Sequence, residues 1–170
     1  MGSGVGTLTK YKMFIGGEWV DSASGETFES FNPYTAQPWA LMPKGNAEDI
    51  DHAVEAADKA FNSGDWPALT ATARGHMIRK FADLITEKAD ELAEIEVRDN
   101  GKLIAEMSAQ CKYLTQWYYY YAGLCDKVEG SVIPIDKPGH FNYTVWEPLG
   151  VCACIVPWNS PLLLLAWKLA

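Results

Sequence analysis

The sequence predicts an α/β fold: a small β entry, a run of helices, a β arm, and then the first strand–turn–helix step of a sheet. Three observations predict it. Hydrophobic residues make up 48% and charged residues 21% of 170 residues, a globular balance in a chain long enough to bury a core. The apolar pattern switches from short strand-like runs to a helical repeat at Asn46, and back to strand-like alternation after Gly130. Finally, the apolar stretch Val151–Ala170 is cut by Pro157-Trp158-Asn159-Ser160-Pro161, as a buried strand, a turn and a buried helix would require.

The elements follow in order. Residues 1–11 are Gly- and Thr-rich and are expected to be loose. In "MFIGGEWV", Gly16-Gly17 separates two short apolar segments, a hairpin signal. A second strand pair is expected around "ETFESFNP", ended by Asn32-Pro33. Asn46, with Asp49 three residues on, is placed to cap a helix whose inner face would be Ile50, Val54, Ala57 and Phe61, stopped at Ser63-Gly64. A second helix is expected from Thr72 to Glu87 with Met77, Phe81, Leu84 and Ile85 inward. A third carries Leu92, Ile95 and Val97, and Asn100-Gly101 is its stop. Lys102 then begins one long helix holding Met107, Cys111, Leu114, Trp117 and Tyr118, which ends between Gly123 and Gly130. These pieces make up the unit 12–129.

Residues 130–149 read as an exposed ribbon: "SVIPI", a turn at Lys137-Pro138-Gly139, and the alternating "HFNYTVWEPLG". Residues 150–170 supply "VCACIV" as a strand covered on both faces, then a helix capped by Ser160 with Pro161 at its first position.

A net charge of -8 with dispersed Lys and Arg argues against nucleic-acid binding. Cys152-x-Cys154 reads as two small buried residues in a core strand; with no matching second ligand pair, no metal site is expected. His52, His76 and His140 are isolated. Cysteine usage and the lack of a signal-like apolar segment suggest a cytoplasmic protein. A C-terminal membrane anchor at 151–170 would have the length, but two prolines, Asn159 and Lys168 interrupt it, so no membrane partner is expected.

The same segment closely resembles the opening of the coenzyme-binding domain of NAD(P)-dependent aldehyde dehydrogenases. So do "MFIGGEWV", "FNPYTAQPWA" (with Tyr34 and Ala36 as departures), "AEDIDHAVEAADKAF" followed by Trp66 and Arg74, "RDNGK", "YYAGLCDKVEGSVIPI" and "EPLGV", in family order and spacing over Lys12 to Ala170. The resemblance implies the N-terminal part of a Rossmann-like domain and oxidation of an aldehyde to a carboxylic acid through a cysteine hemithioacetal and thioester, with NAD or NADP. Asn159 inherits the role of an oxyanion donor: a carboxamide donates without carrying charge. Ile155, Val156, Pro157, Trp158 and Asn159 match the stretch lining the cofactor cleft. Tyr113, Trp117, Leu163, Leu164 and Trp167 would line the aldehyde tunnel, and their bulk suggests an apolar or aromatic aldehyde. Gly101 and Lys102 match a signature but read as structural, a helix stop and its flanking charge.

The resemblance makes 130–149 an arm through which subunits pair as a homodimer or homotetramer. The family's cofactor-contacting Lys, general-base Glu and nucleophilic Cys have no counterpart in this sequence. It is therefore read as an N-terminal portion, truncated after the first strand–turn–helix and expected to be inactive alone. Two alternatives compete: a non-catalytic fragment that pairs with intact subunits through the arm, told by co-purification, and the membrane-anchored protein, told by solubility without detergent.

Overall fold

A computed structural model of the chain describes residues 8–170. The entry region holds five short strands: β1 (Thr9–Lys10), β2 (Met13–Ile15), β3 (Glu18–Val20), β4 (Thr27–Asn32) and β5 (Gln37–Pro43). β2 and β3 form the expected hairpin, with Met13 opposite Val20. Gly16 and Gly17 take φ of 62° and 90°, a turn of mirror-image hand that matches strand twist and that side chains resist. β4 and β5 pair antiparallel, which is the second strand pair. β1 adds to β5 in parallel, and the Tyr11 N–H donates to Leu41 O at 2.9 Å. The segment expected to be loose is therefore tied down from Thr9 to Tyr11, because β5 offers it a free edge; residues 1–7 of that expectation lie outside the described residues.

Helix α1 (Ala47–Ser63) starts where the sequence places it. The Asn46 side chain accepts from the Asp49 N–H at 3.1 Å, and Asp49 Oδ2 accepts from the Asn46 N–H at 2.9 Å. Asp49 also accepts from the Ala23 N–H at 2.9 Å and the Ser22 hydroxyl at 3.1 Å, which locks the helix start to the loop after the hairpin. Those donors, Asn46 N–H first and Ala23 N–H next, hold its carboxyl below the ordinary 3.8. The unfolded chain then takes up the proton first as pH falls. The stabilisation is complete above pH 3.8 and is lost as pH drops through the lowered folded value. Asp49→Asn is expected to lower stability at neutral pH yet flatten this acid loss, read as denaturation midpoint against pH.

The remaining helices are α2 (Asp65–Ala68), α3 (Ala71–Glu87), α4 (Ala89–Asn100), α5 (Ile104–Tyr113), α6 (Thr115–Leu124) and α7 (Pro161–Leu169). The core sits among α3 to α7 and is built on Ala82, Ala89, Ala93, Met107, Cys111, Leu114, Tyr118 and Ala166. Small residues dominate it because the helices approach closely: a Cβ on Gly75 of α3 would lie 2.6 Å from the Ala122 carbonyl oxygen of α6.

Close approach also rotates the faces that the spacing predicts to be inward. In α3 the buried line is Gly75 and Ala82 with Ile78 and Ile85 beside it, whereas Met77, Phe81 and Leu84 stay exposed. Met77 and Phe81 join Trp66, Tyr118 and Leu169 along an open groove of about 350 Å³. In α1, Ile50 and Val54 are exposed, and it is Ala56 that meets the hairpin turn.

The expected long helix from Lys102 is two helices. Leu114 separates α5 from α6, the Thr115 hydroxyl donates back to Lys112 O at 3.0 Å, and Trp117 N–H reaches Leu114 O in a tighter turn. A buried hydroxyl that bonds its own backbone interrupts the regular ladder. The start shifts to Ile104 because Gly101 ends α4 with φ of 75° and the Lys102 N–H is taken by Asn100 Oδ1.

The β arm keeps its path but not its strands: Val132 and Tyr143 make one antiparallel bridge, flanked by Ile133 N–H to Asn142 O and Thr144 N–H to Ser131 O. The largest departure is 151–156. The predicted buried strand is irregular chain without a ladder, and Cys152 and Cys154 are exposed instead of buried. A strand exists only where a neighbour takes its N–H and C=O groups, and no described strand pairs with this segment. Among the described residues, no helix is long and apolar enough to cross a membrane.

Candidate functional site at the Pro157–Ser160 turn

Residues 151–157, without regular structure, lead into a turn at Trp158 and Asn159, and α7 begins at Pro161. The proline suits that position, since its missing N–H would have had no helical partner. Ile155 is 85% and Trp158 77% exposed, and Asn159 is exposed between Trp158 and the buried Ser160. Of the five contiguous residues assigned to a cofactor cleft, Ile155, Pro157, Trp158 and Asn159 are exposed and Val156 is half-buried. No described strand engages the backbone N–H and C=O groups of 151–156. That fits a main-chain contact surface.

The start of α7 is held in a way the sequence did not disclose. Ser160 stands at the N-cap position, but its side chain makes no capping hydrogen bond. Its hydroxyl instead receives the Lys102 ammonium, Nζ to Oγ 2.7 Å. The helix N–H that a local cap would satisfy, that of Leu162, donates to Glu96 Oε1 at 3.1 Å. Glu96 lies in α4 and is 3% exposed. A carboxylate at a helix N-terminus complements the helix dipole, typically by about 0.3–1 kcal/mol. A local Ser cap is worth about 1 kcal/mol. The helix end therefore cannot take a phosphate as readily as an uncapped one, because an acceptor already occupies it.

Burial pushes the Glu96 carboxyl up, opposed by the Leu162 N–H and the Lys102 charge and reinforced by Asp99. The signal for Glu96 was present in the sequence. Ala89, Ala93 and Glu96 fall at i, i+4 and i+7, so an acid sits on the small-residue face of α4. Lys102, read as a flanking charge, also belongs to this network.

The substrate-pocket residues divide. Tyr113 and Trp117 line, with Gln116 and Tyr120, an open groove of about 310 Å³. Trp167 joins them, its ring centroid 5.7 Å from that of Trp117 in an edge-to-face arrangement. Among the described residues Trp117 Nε1 is buried without a hydrogen-bond partner. Leu163 packs against the core, and Leu164 is half-buried one residue further along α7. The helices explain this grouping, since α7 packs against both α5 and α6.

Cys111 is no nucleophile as it stands: burial pushes its thiol up to about 11.

The sequence model of the aldehyde dehydrogenase family matches residues 19–170. A (Z)-2-((N-methylformamido)methylene)-5-hydroxybutyrolactone dehydrogenase of Acinetobacter baylyi is 45% identical over 161 residues, 95% of this chain and 33% of that protein. Among solved structures, the NAD+ complex of an aldehyde dehydrogenase from Bacillus cereus superposes with a TM-score of 0.90 at 44% identity, over 94% of this chain and 33% of the other. A betaine aldehyde dehydrogenase from Staphylococcus aureus, a point mutant in complex with NAD+, gives 0.88 at 39% identity over 96% and 33%. The chain thus spans about a third of the length of the relatives it matches.

Proposed function

The chain belongs to the aldehyde dehydrogenase family, and from that premise we propose that the complete polypeptide oxidises an aldehyde to a carboxylic acid with NAD or NADP. The observation that carries the reading is the turn at Asn159, exposed and held at its helical end by Glu96 and Lys102.

In this reading a cysteine and a general-base glutamate outside these 170 residues do the covalent chemistry. The thiolate adds to the aldehyde carbon as a hemithioacetal, which gives up a hydride to become a thioester that water then hydrolyses. The nicotinamide, when bound, accepts that hydride. The residues in hand do three things. Asn159 donates its carboxamide N–H to the oxygen that becomes negative as the thiolate adds. Residues 155–158 bind the cofactor through main chain and shape. Tyr113, Trp117 and Trp167 give the aldehyde an apolar, aromatic-lined approach that sheds water. An apolar or aromatic aldehyde follows from that lining.

The exposed Phe141, Tyr143 and Trp146 favour a second feature, pairing of copies through residues 130–149 as a homodimer or homotetramer. Their exposure also keeps alive the rival reading of a non-catalytic partner for intact subunits.

The test begins with the intact mass of the natural protein, which should exceed 18.8 kDa several-fold. The complete polypeptide should then form NADH or NADPH in the presence of aliphatic or aromatic aldehydes. No aldehyde-dependent reduction of either cofactor across such a panel would overturn the reading; a mass of 18.8 kDa with co-purifying longer subunits would favour its rival.

A further inference from the structure

We propose that Glu96 and Lys102 are positioning residues for the oxyanion donor: together they fix the Pro157–Ser160 turn and so set the direction of the Asn159 carboxamide. The inference rests on the aldehyde-oxidising reading above.

The two contacts fall on the residues directly after Asn159. Lys102 Nζ meets Ser160 Oγ at 2.7 Å, one residue on, and Glu96 Oε1 takes the Leu162 N–H at 3.1 Å, three residues on. One hydrogen bond would leave the turn free to swivel about it. Two, one from α4 and one from the α4–α5 junction, do not. The junction is closely packed at Gly101, which ends α4 in a left-handed conformation and where a Cβ would lie 3.1 Å from Pro33.

The arrangement is also not what helix stability alone would select. Ser160 could cap α7 locally with its own hydroxyl, satisfying one N–H without burying any charge. Instead the hydroxyl is turned to Lys102 and the cap comes from a buried acid 66 residues earlier in the chain. Glu96 Oε2 has no hydrogen-bond partner among the described residues, so this acid bears a desolvation cost that a local cap would avoid. The long-range solution gains registration of the turn against α4 and α5. Registration matters where a donor must meet a developing oxyanion, because a misplacement of about 1 Å can cost roughly 100-fold in rate.

The test is a double-mutant cycle in the complete polypeptide, following kcat, KM for aldehyde and KM for NAD or NADP. Glu96→Ala should lower kcat about 10- to 100-fold with KM for the cofactor within about twofold. Glu96→Gln, which keeps an acceptor at the same place, should recover most of that loss. In an Asn159→Ala background, Glu96→Ala should cost less than about threefold more, since the group it orients is already gone. Lys102→Met, which removes the Ser160 contact and the positive charge near Glu96 while leaving the Glu96–Leu162 acceptor in place, should show the same dependence on Asn159 and serves if Glu96→Ala does not fold. Multiplicative losses in the double variants, or an unchanged kcat in Glu96→Ala, would overturn the proposal. A wild-type polypeptide with no aldehyde-dependent activity would bring down the functional reading itself, and this inference with it.

Discussion

Replacing Asn159 by alanine in the complete polypeptide is expected to lower kcat by about 100- to 1,000-fold, the usual cost of losing one oxyanion donor. KM for NAD or NADP should change little, because in the proposed reading 155–158 meet the cofactor through backbone, which the substitution leaves in place. Asn159 is exposed in its turn, so the loss should come without a drop in thermal midpoint. Equal losses in turnover and cofactor binding would mean that Asn159 shapes the cleft and donates nothing to the reaction. Asn159→Asp separates the remaining possibility. An ionised carboxylate is the same size but offers only acceptors, so it should be at least as damaging as alanine.

The second large effect concerns the core. Met107→Ala should destabilise the fold by about 2–5 kcal/mol, read as a lower urea or thermal midpoint of the complete polypeptide. Met107 is 1% exposed and is the largest of the wholly buried side chains. Its neighbours in the cluster include Ala82, Ala89, Ala93 and Ala166, which have no side-chain reach with which to fill the space. A loss below about 1 kcal/mol would show that α5 can collapse toward α4, and that the close helix approach is softer than the position of Gly75 against Ala122 O implies.

Both predictions depend on features with different visibility in the sequence. The Asn46–Asp49 capping pair, the Gly16-Gly17 turn, the Gly101 stop and Pro161 at the start of α7 were all legible, because each closes a ring over a few residues. The inward faces of α1 and α3 were not. Apolar spacing marks which residues would welcome burial, but the packing distance decides which are buried. In α3 that distance favours Gly75 and Ala82 over Met77 and Phe81.

The division of the candidate site follows the same line. Asn159, the run 155–158 and the aromatic pair Trp117 and Trp167 could be named from motif order, and nothing in their spacing showed that the two tryptophans meet edge to face. Glu96 and Lys102 escaped as site residues, though an acid on a small-residue helix face was a visible anomaly.

By itself, then, the sequence determined the family, the order of the elements and their local stops, since these depend on residue identity within a turn or two of chain. Only the structure showed that 151–156 forms no ladder, that the helix after Lys102 breaks at Leu114, and that α7 is capped by an acid from α4. The physical reason is common to the first and the last, while the break at Leu114 follows from the local Thr115 bond. Backbone groups must find partners, and when the nearest partner lies many residues away, only the packing of helices and strands determines whether it is within reach.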